Sequence, residues 1–233
     1  MSFIEFKDVV KVYGNEENKQ YAVNHVSFQI DKGELVVILG QSGAGKSTVL
    51  NMLGGMDSPT EGEIFIDGKE ISKMNDAQLS DYRASDIGFI FQFYNLIPTM
   101  TAYENVALTK EIVKNSLDAD EMLEAVGLGQ KKKKFPTQMS GGEQQRVSIA
   151  RALSKNPKFL LCDEPTGALD SETGKDVLVL IQKMCREKGK TTIMVTHNGN
   201  IAKCADKVIR MRNGKIAEVI INEKPVDARE VDL

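Results

Sequence analysis

The chain has little that could staple or anchor it. Among 233 residues there are three cysteines, and Cys162, Cys185 and Cys204 show neither paired nor metal-ligand spacing. An odd, scattered set is the usage of a reducing compartment, and it argues against a disulfide framework. Cys162 sits within an apolar run, as a small buried hydrophobe would. No uninterrupted apolar stretch approaches the roughly 18–20 residues of a membrane-crossing helix. The opening residues MSFIEFKDVV place Glu5 and Asp8 where a secretory leader carries positive charge and then apolar side chains. The expectation is a soluble intracellular protein, with any membrane role supplied through a partner. Basic excess is missing too: 30 Lys and Arg against 33 Asp and Glu leave a net charge of −3, so no nucleic-acid partner is expected. No internal repeat or low-complexity linker divides the chain. Its 233 residues are ample for a proper core, as one large α/β domain or two small ones.

The apolar pattern that is present has two periods. VSFQI (26–30) alternates, with Val26, Phe28 and Ile30 on one face of a half-buried strand. FIEFKDVVKVY (3–13) and EIFIDG (63–68) also read as strands, the second closed by an Asp-Gly turn. Together they predict a small antiparallel sheet laid against the strand that follows. LVVIL (35–39), FLLC (159–162) and TTIMVT (191–196) are near-continuous apolar runs, as in parallel strands buried on both faces with helical crossovers. VIRMRNGKIAEVI (208–220) predicts a hairpin around Asn213-Gly214. Residues 101–155 differ: Leu117, Met122, Leu123, Val126 and Leu128, then Val147, Ile149, Ala150 and Leu153, fall at helical spacings. That segment is expected to be a helical insertion between core strands. The tetralysine run 131–134, beside Pro136, reads as a solvated loop rather than a phosphate-binding patch.

Three segments carry chemistry. GQSGAGKST (40–48) fits G-x-x-x-x-G-K-[ST], a loop that wraps nucleoside-triphosphate phosphates. Gly40, Gly43 and Gly45 let the chain turn tightly and aim successive N–H groups at an anion. The helix beginning near Lys46 adds its unpaired N–H groups and the positive end of its dipole. Lys46 is expected to reach the β- and γ-phosphates, and the Ser47 hydroxyl to ligand Mg²⁺. FLLCDE (159–164) ends an apolar strand in two acids. Asp163 is then at the sheet's C-terminal edge, able to hold Mg²⁺, and Glu164 is placed to polarise an attacking water. In MSGGEQQRVSIARAL (139–153), Ser140 is a good N-cap and forms a capping box with Glu143. Gly141 and Gly142 open backbone access at that helix N-terminus, a second anion-binding half-site. Two half-sites in one chain suggest that two copies meet.

On these residues the chain resembles the ATP-binding subunit of an ABC transporter, over nearly its whole length. GQSGAGKST resembles Walker A, MSGGEQQ the ABC signature, FLLCDE Walker B with its catalytic glutamate, and ALD (168–170) the D-loop. His197 resembles the H-loop histidine and Gln92, in GFIFQFYNLIP (88–98), the Q-loop glutamine. Their order is the family's order, and no Asn-Lys-x-Asp guanine-reading motif is present. The resemblance implies an α/β P-loop NTPase of ABC ATPase type: a parallel-sheet core, a small antiparallel β subdomain and an inserted helical subdomain. It implies one domain over 2–233, with about 2–92 and 156–233 forming the nucleotide-binding core and about 93–155 the helical part. ATP and Mg²⁺ are the implied ligands. Gln41, Ser42, Ala44 and Thr48 complete the phosphate loop, and Tyr13 is implied to stack on adenine, with Tyr21 the weaker rival. Catalytic roles fall to Glu164, His197 and Gln92, metal contacts to Ser47, Gln92 and Asp163, and Asp170 is implied to join two sites across a dimer. His25 receives no role.

The text running into NLIP, then TAYENV (101–106) and PTGALD (165–170), is similar to the ATPases of macrolide exporters and lipoprotein-release complexes. Met139 and Glu143 stand where many members have Leu and Gln, and Val106 to Met122 is short for that sub-family. The implied partners are an integral-membrane permease and a second copy in an ATP sandwich. The implied location is cytoplasmic, on the inner face of the membrane through the permease. Two other readings are a soluble ABC ATPase acting on nucleic acid or ribosomes, and a regulatory permease-coupled ATPase with no cargo.

Overall fold

Leu35–Leu39, the apolar run before the glycine-rich loop, lies in the middle of a sheet and is buried along almost its whole length. The computed structural model of the chain describes residues 2–233. Along the chain, β1 (Ile4–Tyr13) and β2 (Gln20–Ile30) precede this strand, β3, and the loop then enters α1 (Lys46–Leu53). β4 (Glu61–Ile66), the short β5 (Lys69–Glu70), α2 (Asp76–Ser85) and β6 (Ile87–Phe91) follow. Three helices come next: α3 (Ala102–Ala107), α4 (Ala119–Ala125) and α5 (Gly141–Ser154). β7 (Phe159–Asp163), α6 (Ser171–Lys188) and β8 (Thr191–Thr196) return the chain to the sheet, and β9 (Lys207–Arg212) with β10 (Lys215–Ile221) forms a terminal hairpin.

The larger sheet runs β10-β9-β3-β8-β7-β6. All its pairings are parallel except β9 with β10. Side chains on its strands alternate between two cores, as a period of two requires. Leu35, Val37, Leu160 and Cys162 pack with α5 and α6, whereas Val36, Ile38, Phe159 and Leu161 pack with α1 and the second sheet. That second sheet, β2-β1-β4-β5, is antiparallel, with Ile4 opposite both Ile30 and Ile66. It lies against the phosphate-loop strand as the sequence implied, with Phe6 and Phe28 stacked at 4.4 Å in the shared core.

Some elements exceed their sequence signal. β2 starts at Gln20, ahead of the alternating stretch, because a bulge breaks its period: His25 and Asp8 both take left-handed backbone and pair side chain to side chain at 2.9 Å. His25 thus has a structural contact with Asp8. α6 is the longest helix described, and its buried stripe Val177, Leu178, Ile181 and Cys185 covers the sheet. The tetralysine run is a loop, yet part of it is built into the fold. Lys132 pairs with Asp120 and Glu124, and the Lys132 and Lys134 carbonyls accept from the Tyr103 and Ala102 amides over 2.9 and 2.8 Å. Burial pushes the Cys162 thiol well above its ordinary range, consistent with an inert core residue.

Candidate active site

The phosphate loop leaves β3 and must turn sharply to start α1. Gly45 does this with φ 97°, and it is the N-terminal boundary residue of α1, where no side chain caps the helix. A methyl group on Gly45 would lie 2.2 Å from the Ala22 carbonyl oxygen, and one on Gly40 2.5 Å from that of Met211. Gly43 also has positive φ, at 77°, but opens onto free space. The uncapped N–H groups at the start of α1 are therefore available to an anion. Lys46 is only 7% exposed. Its Nζ donates to the Gln41 carbonyl over 3.0 Å, closing the loop on itself.

β7 delivers the acid pair beside this loop. Its register puts Asp163 on the same face as Phe159 and Leu161, the face turned toward α1. Asp163 Oδ1 is 3.5 Å from Ser47 Oγ. Burial and then the neighbouring Glu164 charge raise the Asp163 carboxyl above the usual range, while Ser47 and Lys46 oppose that rise. Glu164 has φ 46°, a left-handed backbone unusual for a non-glycine residue. Its carboxylate is held at both oxygens: His197 Nδ1 lies 2.9 Å from Oε1, and Thr196 Oγ1 donates to Oε2 over 3.2 Å. A cavity of about 930 Å³ is lined by Tyr13, Tyr21, the loop from Gly40 to Thr48, Glu164 and His197. Gln41, Ser42 and Ala44 are on that wall as well.

Tyr13 reaches the cavity with its hydroxyl donating to Asp57 Oδ2 over 2.5 Å and with Lys11 Nζ 5.0 Å from its ring centre. Burial first, and then Asp57, raise the Tyr13 hydroxyl's pKa. Gln92 follows β6 and lies against the turn after Glu164, since a methyl on Gly167 would sit 3.0 Å from its Nε2. Asp170 caps α6, accepting from the Thr173 amide over 3.0 Å, and these bonds depress its carboxyl pKa. Ser140, Gly141 and Gly142 do not line the 930 Å³ cavity. Ser140 forms the expected capping box, its hydroxyl accepting from the Glu143 amide over 3.3 Å while Glu143 Oε2 accepts from the Ser140 amide over 3.0 Å. The two glycines have packing reasons: a methyl on Gly142 would lie 2.0 Å from Thr173 Cγ2, and one on Gly141 2.7 Å from Tyr94 Oη.

Thr196, Asp57 and Gln145 are the residues of this region that sequence reasoning missed. Gln145 is fully buried in α5, and its Nε2 donates to the carbonyls of Phe91 and Pro165 over 3.2 and 2.8 Å. It thereby ties α5 to the residue before Gln92 and the residue after Glu164. Its Oε1 is buried without a partner. Thr196 closes an apolar strand, which was a usable signal; nothing local marked Asp57.

A glycine-rich loop between a central parallel strand and a helix, with an acid pair ending a nearby strand of the same sheet, defines a P-loop nucleoside triphosphatase. The comparisons narrow that class. The family described as "ABC transporter" matches residues 23–167, and the chain belongs to that family. An uncharacterized ABC transporter ATP-binding protein of Methanocaldococcus jannaschii is 45% identical over 93% of this chain and 99% of its own length. A macrolide export ATP-binding/permease protein of Mannheimia succiniciproducens is 45% identical over 94% of this chain, but the chain spans only 34% of that relative. Among solved structures, another M. jannaschii ATP-binding cassette, in a dimeric post-hydrolysis state bound to ADP and Pi, matches with a TM-score of 0.85 and 40% identity. That match covers 94% of this chain and 98% of the other. No helix among the described residues is long and apolar enough to cross a membrane.

Proposed function

We propose that the chain is the ATP-binding and ATP-hydrolysing subunit of an ABC transporter, acting as a dimer on a membrane permease. The observation that carries this reading is the convergence of Lys46, Ser47, Glu164 and His197 on one cavity at an uncapped helix N-terminus, with Asp163 3.5 Å from Ser47. One cassette spans 2–233, with about 2–92 and 156–233 as its nucleotide-binding core and about 93–155 as its helical part.

In this mechanism Tyr13 stacks on adenine and the Gly40–Thr48 loop wraps the phosphates. Lys46 releases the Gln41 carbonyl and turns to the β- and γ-oxygens. Ser47 and Asp163 are hard oxygen donors close enough to share one small ion. No cluster of three or more His, Cys, Asp or Glu able to hold a metal exists among the described residues. That donor set fits Mg²⁺, which takes few protein ligands and completes its shell with phosphate oxygens and water. When bound there it neutralises charge developing on the phosphates. Glu164 accepts a proton from the attacking water, while His197 and Thr196 hold its carboxylate in position. Gln92, beside the turn at Gly167, senses the γ-phosphate and its metal.

A second copy presents Ser140, Gly141 and Gly142 to the same ATP, so that the γ-phosphate bridges two helix N-termini. Hydrolysis removes the bridge and the dimer opens, with Asp170 at the junction. Residues 93–106, where Phe93 is 73% exposed, form the surface for a cytoplasmic segment of the permease. The chain then works in the cytoplasm, held to the inner face of the membrane by that partner.

Glu164→Gln tests the sandwich. With ATP and Mg²⁺ it should elute as a dimer in gel filtration, and a monomer would refute the account. Affinity purification of the same variant from gently solubilised native membranes should bring down a stoichiometric polytopic permease. Soluble partners or nucleic acid alone would leave the ATPase and remove the transport role.

A further inference from the structure

Glu143 poses an electrostatic problem. It occupies the first turn of α5, the helix whose N-terminus is assigned above to a phosphate. A carboxylate there favours the helix itself, because it complements the positive dipole end. It also cancels the half-charge that would attract an anion and repels that anion directly. A glutamine at this position would do neither.

The surroundings supply a counter-charge. Glu143 Oε2 accepts from the Ser140 amide over 3.0 Å, and Oε1 is in direct contact with Lys131 Nζ. Arg146, one turn along the same helix, adds a weaker attraction. Lys131 is the first residue of the tetralysine run, and its neighbours are placed differently. Lys132 is engaged with Asp120 and Glu124, while Lys133 forms no ion pair among the described residues. The Glu143 side chain is 15% exposed and that of Lys131 is 48% exposed, so the pair lies at the surface beside the exposed Ser140.

We propose that Lys131 is a positioning residue for the signature: it neutralises Glu143 so that the N-terminus of α5 can receive the γ-phosphate carried by a second copy. The proposal rests on the sandwich reading, and it gives the tetralysine loop a specific task carried by one of its four residues. Lys131 does not touch the nucleotide; it acts through Glu143.

The test uses the full chain in the Glu164→Gln background, with ATP-dependent dimerisation followed by analytical ultracentrifugation. If that background does not dimerise with ATP, the sandwich reading itself fails. If it does, Lys131→Ala should weaken the dimer by about 2- to 5-fold per signature contact, and so by about 4- to 25-fold overall. The loss should shrink at high ionic strength, where exposed charges are screened. Adding Glu143→Gln to Lys131→Ala should restore dimerisation, because the charge that needs compensation is gone. Lys133→Ala should leave the dimer unchanged. An unaffected dimer in Lys131→Ala would overturn the proposal. So would a double variant as weak as the single one, since that would mean Lys131 only braces the loop. An equal loss in Lys133→Ala would also overturn it, by showing that the run acts through its total charge.

Discussion

His197 Nδ1 lies 2.9 Å from Glu164 Oε1, and this contact joins the C-terminal ends of two adjacent parallel strands, β7 and β8. Each residue follows an apolar run that has no freedom to shift register without exposing its side chains. The sheet therefore sets the spacing of an acid and an imidazole that lie 33 residues apart in sequence.

Replacing Glu164 by Gln keeps the shape and removes the proposed base. The expected result is a fall in kcat for ATP hydrolysis of about 10²- to 10⁴-fold with ATP affinity retained. Thr196→Val removes one hydrogen bond to the same carboxylate and should lower kcat by only about 2- to 10-fold. Steady-state phosphate release and nucleotide titration measure both. A Thr196→Val loss as large as that of Glu164→Gln would show that orientation, not basicity, dominates.

Much of this geometry was legible in the sequence because phosphate chemistry demands particular residues at fixed spacing. Glycines at 40, 43 and 45, a lysine at 46 and an acid pair after FLLC were each visible. The strands at 35–39, 159–162 and 191–196, and the hairpin at Asn213-Gly214, were legible from apolar continuity and turn chemistry. Positions that depend on contacts far apart in the chain were not. Asp57 reaches Tyr13 across 44 residues and Gln145 reaches Phe91 across 54, and neither carries a local pattern. The early start of β2 was hidden by the Asp8–His25 bulge, which breaks the alternation that identifies a strand. The packing need for glycine at 142 was likewise invisible until α6 was seen against α5.

Asp163 makes a prediction about pH. Its carboxyl is raised by burial and by Glu164, so the folded protein prefers it protonated. Its stabilising contribution is fully present below the ordinary aspartate pKa and is lost as pH rises through the raised folded value. At neutral pH the ionised Asp163 therefore destabilises the nucleotide-free protein, and Asp163→Asn should raise its thermal midpoint. The gap between variant and parent should narrow as pH falls through that raised value and close below the ordinary aspartate pKa. Mg²⁺-dependent hydrolysis should be lost in the same variant. Differential scanning calorimetry across pH decides the first part, and equal midpoints at neutral pH would contradict it.

Gly43 and Gly45 separate backbone strain from collision. Both have positive φ, so alanine at either site should cost about 1–2 kcal/mol. At Gly43 that is the whole cost, because the added methyl meets nothing. At Gly45 it would be driven into the Ala22 carbonyl, forcing β2 away from α1. Urea denaturation should therefore rank Gly45→Ala well below Gly43→Ala. Only Gly45→Ala should distort the start of α1 enough to abolish ATP binding by the isolated chain. Equal stabilities would mean that β2 yields easily.

Gln145 offers a test of coupling between α5 and the turn that carries Glu164, the proposed base. Its amide holds the Phe91 and Pro165 carbonyls, which flank Gln92 and Glu164 in sequence. Gln145→Leu leaves both carbonyls buried without that donor, a cost of about 1–3 kcal/mol. The net loss is smaller than two such costs, because the variant also removes Oε1, itself buried without a partner. Stability should drop modestly, and the kinetic effect should fall on kcat more than on KM. In the proposed mechanism ATP is gripped by the loop after β3, whereas Gln92 and Glu164 adjoin the residues whose carbonyls Gln145 holds. A variant with lower stability and unchanged kcat would reduce Gln145 to a core hydrogen bond. A fall in kcat at temperatures where the variant is fully folded would place it in the path from the signature helix to the attacking water.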